Sequence, residues 1–270
     1  MQSENILGDQ EYWNKRAATF SCGSDEAYKQ RFSELLSLEP GQSILDMGCA
    51  TGTFAIPFGR KGHSVYACDF AKEMLEILDK RAAAENLPVT SHLLAWDDDW
   101  QSTGLGEKSV DVAIASRSLG FKNKHERIQK LDAVARHKAA ITVSASVLPS
   151  REPQLLTHLG REIPQSGEVS ELVTLLITMG RLPVVSYMLT LRPMIFLTLA
   201  DGAAELRKMA GPEAFNVREQ ALFDAFVAKH FRHMQNTDPK SQIADGWELD
   251  YPLPVIWAFI GWRTDGKVWL

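Results

Sequence analysis

The stretch that decides the fold is ILDMGCATGTFAIPFGRKGHSVYACDFAKEMLEIL, residues 44–78. Two short apolar runs, each ending in an aspartate, alternate with segments of helical periodicity, which predicts strand, turn, helix, strand and helix. Gly48 and Gly52 lie in the first turn, where the backbone must bend sharply and a Cβ would hold a ligand away. The segment therefore predicts a β-α-β-α unit with a binding turn after its first strand.

The two aspartates indicate the chemistry of the ligand. Asp69 ends the second strand, 21 residues after Gly48, where a carboxylate typically accepts hydrogen bonds from ribose hydroxyls. Asp46 lies two residues before Gly48 and would repel a pyrophosphate. Ala50 and Thr53 stand where a dinucleotide fingerprint has glycine. A cofactor with a ribose, a positive charge and no phosphate fits this pattern, and S-adenosylmethionine has these features.

The stretch resembles motif I and the motif after it in class I S-adenosylmethionine-dependent methyltransferases, of the kind that act on small molecules. Residues 70–75, FAKEML, are similar to the segment that often follows in that family. The resemblance implies an α/β, Rossmann-like class I methyltransferase fold. Its seven-stranded, mostly parallel sheet would carry helices on both faces, with helical insertions after strands 5 and 6. It also implies S-adenosylmethionine as cofactor and S-adenosylhomocysteine as product.

The resemblance also implies a domain organisation and a set of cofactor contacts. We expect N-terminal helices covering the cofactor site in 1–40, the cofactor-binding core in 41–149, and a helical substrate cap with the final antiparallel strands in 150–270. The methionine end would lie against Asp46 and the glycine turn, the ribose against Asp69, and the adenine near the residues after strands 2 and 3. The expected contacts are Tyr12, Arg16, Asp46, Gly48, Cys49, Ala50, Thr51, Gly52, Asp69, Phe70, Met74, Trp96, Asp97, Ser116 and Arg117.

Two of these assignments have alternatives. The aromatic residues near Tyr12 either touch the cofactor or pack on the sheet, since aromatic side chains serve both roles. Arg117 follows the fourth strand at the point where acceptors bind in open parallel sheets. It either binds an acidic substrate or pairs with a loop carboxylate.

The acceptor is expected to be a small molecule. The segment after the fourth strand, SRSL, lacks the N/D-P-P-Y motif of many enzymes that methylate amino groups in nucleic acids and proteins, and it lacks a Pro-Cys nucleophile. The net charge is −5, whereas nucleic-acid binders usually present a basic face. A protein or RNA methyltransferase, a nicotinamide-dependent oxidoreductase and a non-catalytic nucleoside-binding protein are the alternative functions.

Composition predicts a reduced, cytoplasmic protein. The three cysteines, Cys22, Cys49 and Cys68, are odd in number and two lie in the binding segment. The first ten residues lack a charged-then-apolar signal pattern. The longest apolar stretch, 184–200, is interrupted by an Arg-Pro pair, so no membrane-spanning helix is expected. The oligomeric state, monomer or homodimer, is left open.

Residue types offer no clear catalytic group or metal site. His230 and His233 with Asp238 would form an incomplete zinc site, so no metal is expected. His125 and His158 are candidate general bases, but a base is needed only if the acceptor must lose a proton.

Periodicity beyond the core predicts helices over 123–137, 168–179 and 217–234, with strands over 139–144, 184–191 and 254–263. Asn216 with Glu219 predicts a capping box at the start of the last helix.

Overall fold

The computed structural model describes residues 9–18, 20, 26–120, 122–145, 150–235, 243 and 245–269. The helices are α1 Gln10–Ala17, α2 Glu26–Leu36, α3 Ala55–Arg60, α4 Lys72–Ala84, α5 Lys124–Val134, α6 Pro153–Leu159, α7 Glu168–Thr178, α8 Leu199–Met209 and α9 Val217–His230. The strands are β1 Ile44–Met47, β2 Val65–Asp69, β3 Val89–Leu93, β4 Val110–Ser116, β5 Ala135–Ser144, β6 Val184–Arg192, β7 Ile195–Phe196, β8 Phe231–Gln235, β9 Asp245–Leu249 and β10 Leu253–Arg263.

A seven-stranded sheet has the order β3-β2-β1-β4-β5-β10-β6. Strands β1 to β5 pair in parallel. The backbone hydrogen bonds Thr264–His137 and Ala145–Ile256 place β10 antiparallel to β5. The strand order reverses between β1 and β4, and ligands of open α/β sheets bind outside the carboxyl ends of strands at such a point. The predicted α/β class with a mostly parallel seven-stranded sheet is confirmed.

The chain divides into two compact units. Unit 1 comprises Met1–Val143, Glu168–Met188 and Trp257–Leu270, and unit 2 comprises Ser144–Gly167 and Leu189–Ile256. Unit 1 holds the glycine turn and most of the large sheet. Among the residues that the structure describes, no helix is long and apolar enough to cross a membrane.

Aromatic side chains fill much of the core of unit 1. The Phe32 ring centroid lies 4.4 Å from that of Phe54 and 5.4 Å from that of Phe259. These contacts join α2, the start of α3 and β10. Burying one such side chain contributes about 1.5–3 kcal/mol, so this cluster stabilises the elements that lead into the glycine turn.

The amino end of the large sheet is closed by hydrogen-bonded carboxylates. Asp132, in the last turn of α5, accepts from Arg181 through both oxygens at 2.7 Å and from the buried Trp262 indole at 3.0 Å. Asp111 accepts from the Ser43 backbone and hydroxyl groups at 2.8 Å. These contacts tie together segments that are far apart in the chain.

Unit 2 combines helices with a three-stranded sheet of order β7-β9-β8. Its core includes Phe223, Phe226 and Phe231. The Asn216 side chain accepts from the Glu219 N–H at 2.9 Å and the Glu219 carboxylate accepts from the Asn216 N–H at 3.0 Å, which confirms the predicted capping box. The insertion after β6 therefore contains a small sheet as well as helices.

Two predicted boundaries are wrong. Helix α9 ends at His230 rather than Met234, because residues 231–235 pair antiparallel with β9. Strand β5 begins at Ala135 rather than Ala139, and its register against β4 shifts between Val110 and Val112. Both errors arise where pairing with a distant strand overrides local helix periodicity.

Candidate functional site

The turn after β1 requires glycine at both predicted positions. Gly48 has φ +78°, and a Cβ there would lie 2.2 Å from Ser118 Cβ. Gly52 has φ +94°, and a Cβ there would lie 2.5 Å from Leu78 Cδ1. These distances are far below van der Waals contact, so any side chain would force the turn open. The turn can therefore lie close to Ser118, which follows β4, and to Leu78 of α4 only because these two positions are glycine.

Ala50 adopts the glycine conformation without being glycine. Its φ is +48°, in the left-handed region that costs a residue with a Cβ about 1–2 kcal/mol. The side chain packs against the buried cluster of Ala17, Ala71 and Met74. Alanine thus preserves the backbone path of the turn at a cost in conformational energy.

Asp46 places a buried carboxylate beneath the turn. The residue is 2% exposed, and its Oδ2 has no hydrogen-bond partner in the described structure. Burial, followed by repulsion from Asp69, raises the pKa of Asp46 to about 7, although a backbone hydrogen bond from Ala55 opposes the shift. A buried acceptor without a donor is costly unless a ligand supplies one.

Asp69 joins the two β-α units. Its Oδ2 accepts from the Ala50 N–H at 2.8 Å and its Oδ1 accepts from the Ala71 N–H at 2.9 Å. Burial raises its pKa, although these backbone hydrogen bonds oppose the shift. Each carboxylate oxygen has a second lone pair, so the group can still accept from a hydroxyl.

Thr51 and the two cysteines in and near the turn are buried. Thr51 is buried, and its carbonyl accepts from Arg81 Nη1 at 2.5 Å. Cys49 and Cys68 are buried free thiols, and burial raises the pKa of both. These thiols stay protonated at neutral pH and are poor nucleophiles. Cys22 lies outside the described residues.

Helix α1 packs against the segment that follows Asp69. The Gln10 side chain donates to the Phe70 carbonyl, and the Asn14 side chain accepts from the Glu73 N–H at 3.4 Å. Trp13 packs on the cluster that contains Met74, which is itself buried. Tyr12 and Arg16 lie on the exposed part of this helix.

The residues after β3 lie beside α5. The Trp96 indole N–H donates to the Ser118 carbonyl at 2.9 Å, and Arg127 stacks on its ring at 5.4 Å from the centroid. The Asp97 side chain is 71% exposed. A cavity of about 190 Å³ is lined by these residues together with Asn123, Glu126 and Lys130, so it borders the expected adenine contacts rather than the glycine turn.

The segment after β4 brings together residues that sequence reasoning treated separately. Ser118 Oγ donates to the Met47 carbonyl at 2.5 Å. Arg117 stacks over the rings of Tyr28 and Trp257, with its guanidinium carbon 3.6 Å and 4.5 Å from the two centroids. Sequence reasoning gave neither Tyr28 nor Trp257 a role in the site, and no local pattern connects either residue to Arg117.

The histidines predicted as metal candidates are paired elsewhere. His230 Nδ1 lies 3.0 Å from Asp250 Oδ1, and His233 Nε2 lies 3.0 Å from Asp245 Oδ1. Asp238 lies outside the described residues. Within the part of the chain that the structure describes, no group of three metal-ligating side chains occurs.

The arrangement fits the cofactor that the sequence suggests. Asp46 offers a buried acceptor to a cation and Asp69 offers acceptors to a ribose diol, while the two glycines let the turn lie against Ser118 and Leu78. Two adjacent carboxylates with no cation between them would repel a pyrophosphate. These acceptors thus match S-adenosylmethionine better than a dinucleotide.

Comparisons with known proteins agree with this geometry. Residues 44–139 match the family model of a methyltransferase domain. An uncharacterized protein of Haemophilus influenzae is 31% identical over 134 residues, 48% of this chain and 48% of that protein. A demethylmenaquinone methyltransferase of Corynebacterium efficiens is 25% identical over 155 residues, 55% of this chain and 62% of that enzyme. The chain spans less than two thirds of the length of these curated relatives.

A solved structure gives the same fold. The YcgJ protein of Bacillus subtilis superposes with a TM-score of 0.53 at 12% identity, covering 88% of this chain and 97% of that protein. The sheet order, the glycine turn with its two aspartates and the family match at 44–139 lead to one conclusion. Residues 44–139 form a region similar to a methyltransferase domain, within a sheet of the same fold as the solved structure.

Proposed function

We propose that the protein transfers a methyl group from S-adenosylmethionine to a small-molecule acceptor. The observation that carries the proposal is the buried Oδ2 of Asp46, which has no hydrogen-bond partner among the described residues and lies beside the turn between Gly48 and Gly52. A buried carboxylate oxygen that no protein group satisfies is a site for a donor or cation from a ligand.

Each part of the site has a separate task under this proposal. Asp46 and the glycine turn hold the methionine end, and Asp69 accepts from the ribose hydroxyls. Trp96, Phe70 and Asp97 are proposed adenine contacts, and Ser116 and Arg117 face the acceptor. When bound, S-adenosylmethionine supplies the methyl group. The acceptor's nucleophile forms a bond to the methyl carbon as the carbon–sulfur bond breaks, sulfur keeps the electron pair of that bond, and the acceptor's proton leaves to water. Holding the two reactants in line supplies much of the rate of such a displacement.

Support for a small-molecule acceptor comes from the chain and from its relatives. The net charge of −5 does not favour a polyanionic substrate. The similar enzyme of Corynebacterium efficiens is named a demethylmenaquinone methyltransferase, so its printed acceptor is a small molecule. The cytoplasmic location and an acceptor cap formed by 150–183 and 200–250 stay predictions.

Calorimetric titration with S-adenosylmethionine, S-adenosylhomocysteine and NAD tests the cofactor assignment. We expect micromolar binding of the first two ligands and none of NAD. Absence of binding of either adenosyl ligand would contradict the proposal, and turnover of radiolabelled methyl groups separates an enzyme from a non-catalytic binding protein.

Substitution of Asp69 tests the site directly. Asp69→Ala should weaken S-adenosylhomocysteine binding at least 30-fold, since it removes the ribose acceptor and releases the N–H groups of Ala50 and Ala71; a loss of this size corresponds to about 2 kcal/mol. The matched control is Asp79→Ala, which removes an exposed carboxylate from α4 and should leave the affinity unchanged. Equal affinities of the two variants would show that Asp69 does not hold the cofactor.

A further inference from the structure

The cavity of about 190 Å³ in unit 1 lies between the segment after β3 and helix α5. Its lining residues are Trp96, Asp97, Asn123, Glu126, Arg127 and Lys130. Pockets that enclose a whole small ligand measure about 300–1,000 Å³. This cavity is smaller, so its size suits one ring system of a larger ligand.

Hydrogen bonds to backbone carbonyls hold two walls of the cavity in place. The Trp96 indole N–H donates to the Ser118 carbonyl at 2.9 Å. Lys130 Nζ donates to the carbonyls of Trp96 and Asp98, at 2.6 Å and 2.9 Å. These bonds join the segments after β3 and β4 to α5. The cavity is therefore preformed, and a ligand does not need to order these walls, which favours binding.

Arg127 brings a buried donor to this cavity. Its Nη1 donates to the Leu119 carbonyl, and its guanidinium carbon lies 5.4 Å from the Trp96 ring centroid. These contacts orient the guanidinium, and the side chain is 13% exposed. Its Nε is buried and has no hydrogen-bond partner among the residues that the structure describes. Because a buried N–H without an acceptor is costly, a ligand that supplies an acceptor is favoured there.

A carboxylate lies beside this donor. Asp97 Oδ1 is 3.9 Å from Arg127 Nη2, a distance longer than a hydrogen bond, so each group can still bind a ligand. The charged lining residues are the cations Arg127 and Lys130 and the anions Asp97 and Glu126. Their formal charges cancel, so the cavity does not favour a charged ligand of either sign. It offers instead one buried donor and one neighbouring acceptor.

We infer that Arg127 and Asp97 recognise the adenine of the cofactor, with Arg127 Nε donating to a ring nitrogen and Asp97 accepting from the N6 amine beside it. The inference rests on the proposed function and adds Arg127 as a residue that determines base specificity. Adenine has an acceptor nitrogen on each side of its amine, N1 and N7. An arginine only donates and an ionised carboxylate only accepts. Hypoxanthine carries a carbonyl in place of the amine and would set an acceptor against Asp97.

Calorimetric titration with base analogues tests the inference. The wild type is titrated with S-adenosylhomocysteine, with S-inosylhomocysteine, and with the 1-deaza and 7-deaza analogues of S-adenosylhomocysteine. S-inosylhomocysteine should bind at least 30-fold more weakly than S-adenosylhomocysteine, because a site that hydrogen-bonds a ligand's amine rejects an analogue without it. One deaza analogue should bind at least tenfold more weakly, and it identifies the nitrogen that accepts from Arg127.

Arg127→Met tests the donor. The substitution removes every N–H of the guanidinium, so the affinity for S-adenosylhomocysteine should fall at least tenfold, to that of the weaker deaza analogue. That analogue should lose no further affinity, because the contact is already absent from it. The control Arg218→Met removes an exposed arginine on α9 and should match the wild type.

Asp97→Asn tests the acceptor. An asparagine amide both donates and accepts, so the variant should bind S-inosylhomocysteine at least fivefold more tightly than the wild type does. A gain of this kind cannot arise from loss of structure. The control Asp99→Asn changes an exposed neighbour in the same segment and should keep the base preference of the wild type.

Equal binding of all four ligands by the wild type would overturn the inference. So would an equal loss of every ligand in Arg127→Met, since a purely structural role of Arg127 weakens all of them alike. An unchanged base preference in Asp97→Asn would also contradict it. In each of these cases the wild type still binds S-adenosylhomocysteine and the proposed function stands. Failure of the wild type to bind S-adenosylhomocysteine would remove the proposed function and this inference together.

Discussion

The two ends of the large sheet differ in how completely their carboxylates are hydrogen-bonded. At the amino end, Asp132 is met by Arg181 and Trp262. Asp111 is met by Ser43 and by Arg136, and these hydrogen bonds lower its pKa although burial opposes the shift. At the carboxyl end, one oxygen of Asp46 has no hydrogen-bond partner in the part of the chain that the structure describes. One end is therefore completed by the fold, whereas at the other end we propose that the cofactor supplies the missing donor.

The contrast has an energetic meaning. A buried carboxylate with a full set of donors adds to cohesion, whereas an incomplete one destabilises the unliganded protein. Active sites commonly show this exchange of stability for function. The raised pKa values of Asp46 and Asp69 and the positive φ of Ala50 all lie at the carboxyl end. The predictions below test whether the two ends can be perturbed independently.

The largest effect is expected at the amino end, from Asp132→Ala. The substitution leaves Arg181 and the Trp262 indole without their acceptor, and breaking a buried pair of this kind costs about 3 kcal/mol. Urea denaturation should show a clearly lower midpoint, while the folded variant should bind S-adenosylhomocysteine like the wild type. Asp79→Ala is the exposed control. A normal midpoint for Asp132→Ala would mean that this end does not carry the stability of unit 1.

At the carboxyl end, Asp46→Asn should stabilise the protein, whereas Asp132→Ala destabilises it. The pKa of Asp46 is raised from 3.8 to about 7, so the folded state binds this proton more tightly than the unfolded state. Its contribution to stability therefore falls as pH rises from about 4 to 7 and stays low above 7. Asparagine does not ionise, so the variant's gain in Tm should grow between pH 5 and pH 8. Cofactor affinity should fall at least tenfold. A Tm difference independent of pH would contradict this account.

The pH dependence of cofactor binding tests whether the ionised Asp46 carboxylate contacts the cofactor. Pairing with a cation requires ionised Asp46. The Kd of S-adenosylhomocysteine should therefore fall by up to about tenfold from pH 6 to pH 8, as one group with a pKa near 7 loses its proton. The ligand's own amino group titrates equally in both proteins. The difference between the profiles of the wild type and Asp46→Asn therefore isolates the carboxylate, and parallel profiles would assign the titration to another group.

The smallest effect is expected from Ala50→Gly. Glycine adopts φ +48° without the steric cost of a Cβ, so the substitution should stabilise the protein by about 0.5–1 kcal/mol and preserve cofactor binding. Ala83→Gly, at an exposed position within α4, is the matched control and should destabilise by about 1 kcal/mol. Destabilisation of equal size by both substitutions would show that Ala50 is not strained.

Local sequence was sufficient to predict the turn and the two acids of the proposed cofactor site. The turn between Gly48 and Gly52 and the aspartates at the ends of β1 and β2 are encoded within about 25 consecutive residues. Strand-end carboxylates and left-handed glycines follow from short-range geometry. The same local reasoning failed at residues 231–234, where antiparallel pairing with β9 ends α9 early.

The sequence alone thus determined the fold class, the glycine turn and the two acids beside it, because parallel β-α units place strand ends and glycine turns at one edge of the sheet. Only the tertiary structure decided the convergence of Tyr28, Arg117 and Trp257 and the joining of Asp132 to Arg181 and Trp262. These contacts link residues up to 140 and 130 positions apart. No local pattern specifies them, because they depend on the order of the strands in the sheet and on how helices pack across it.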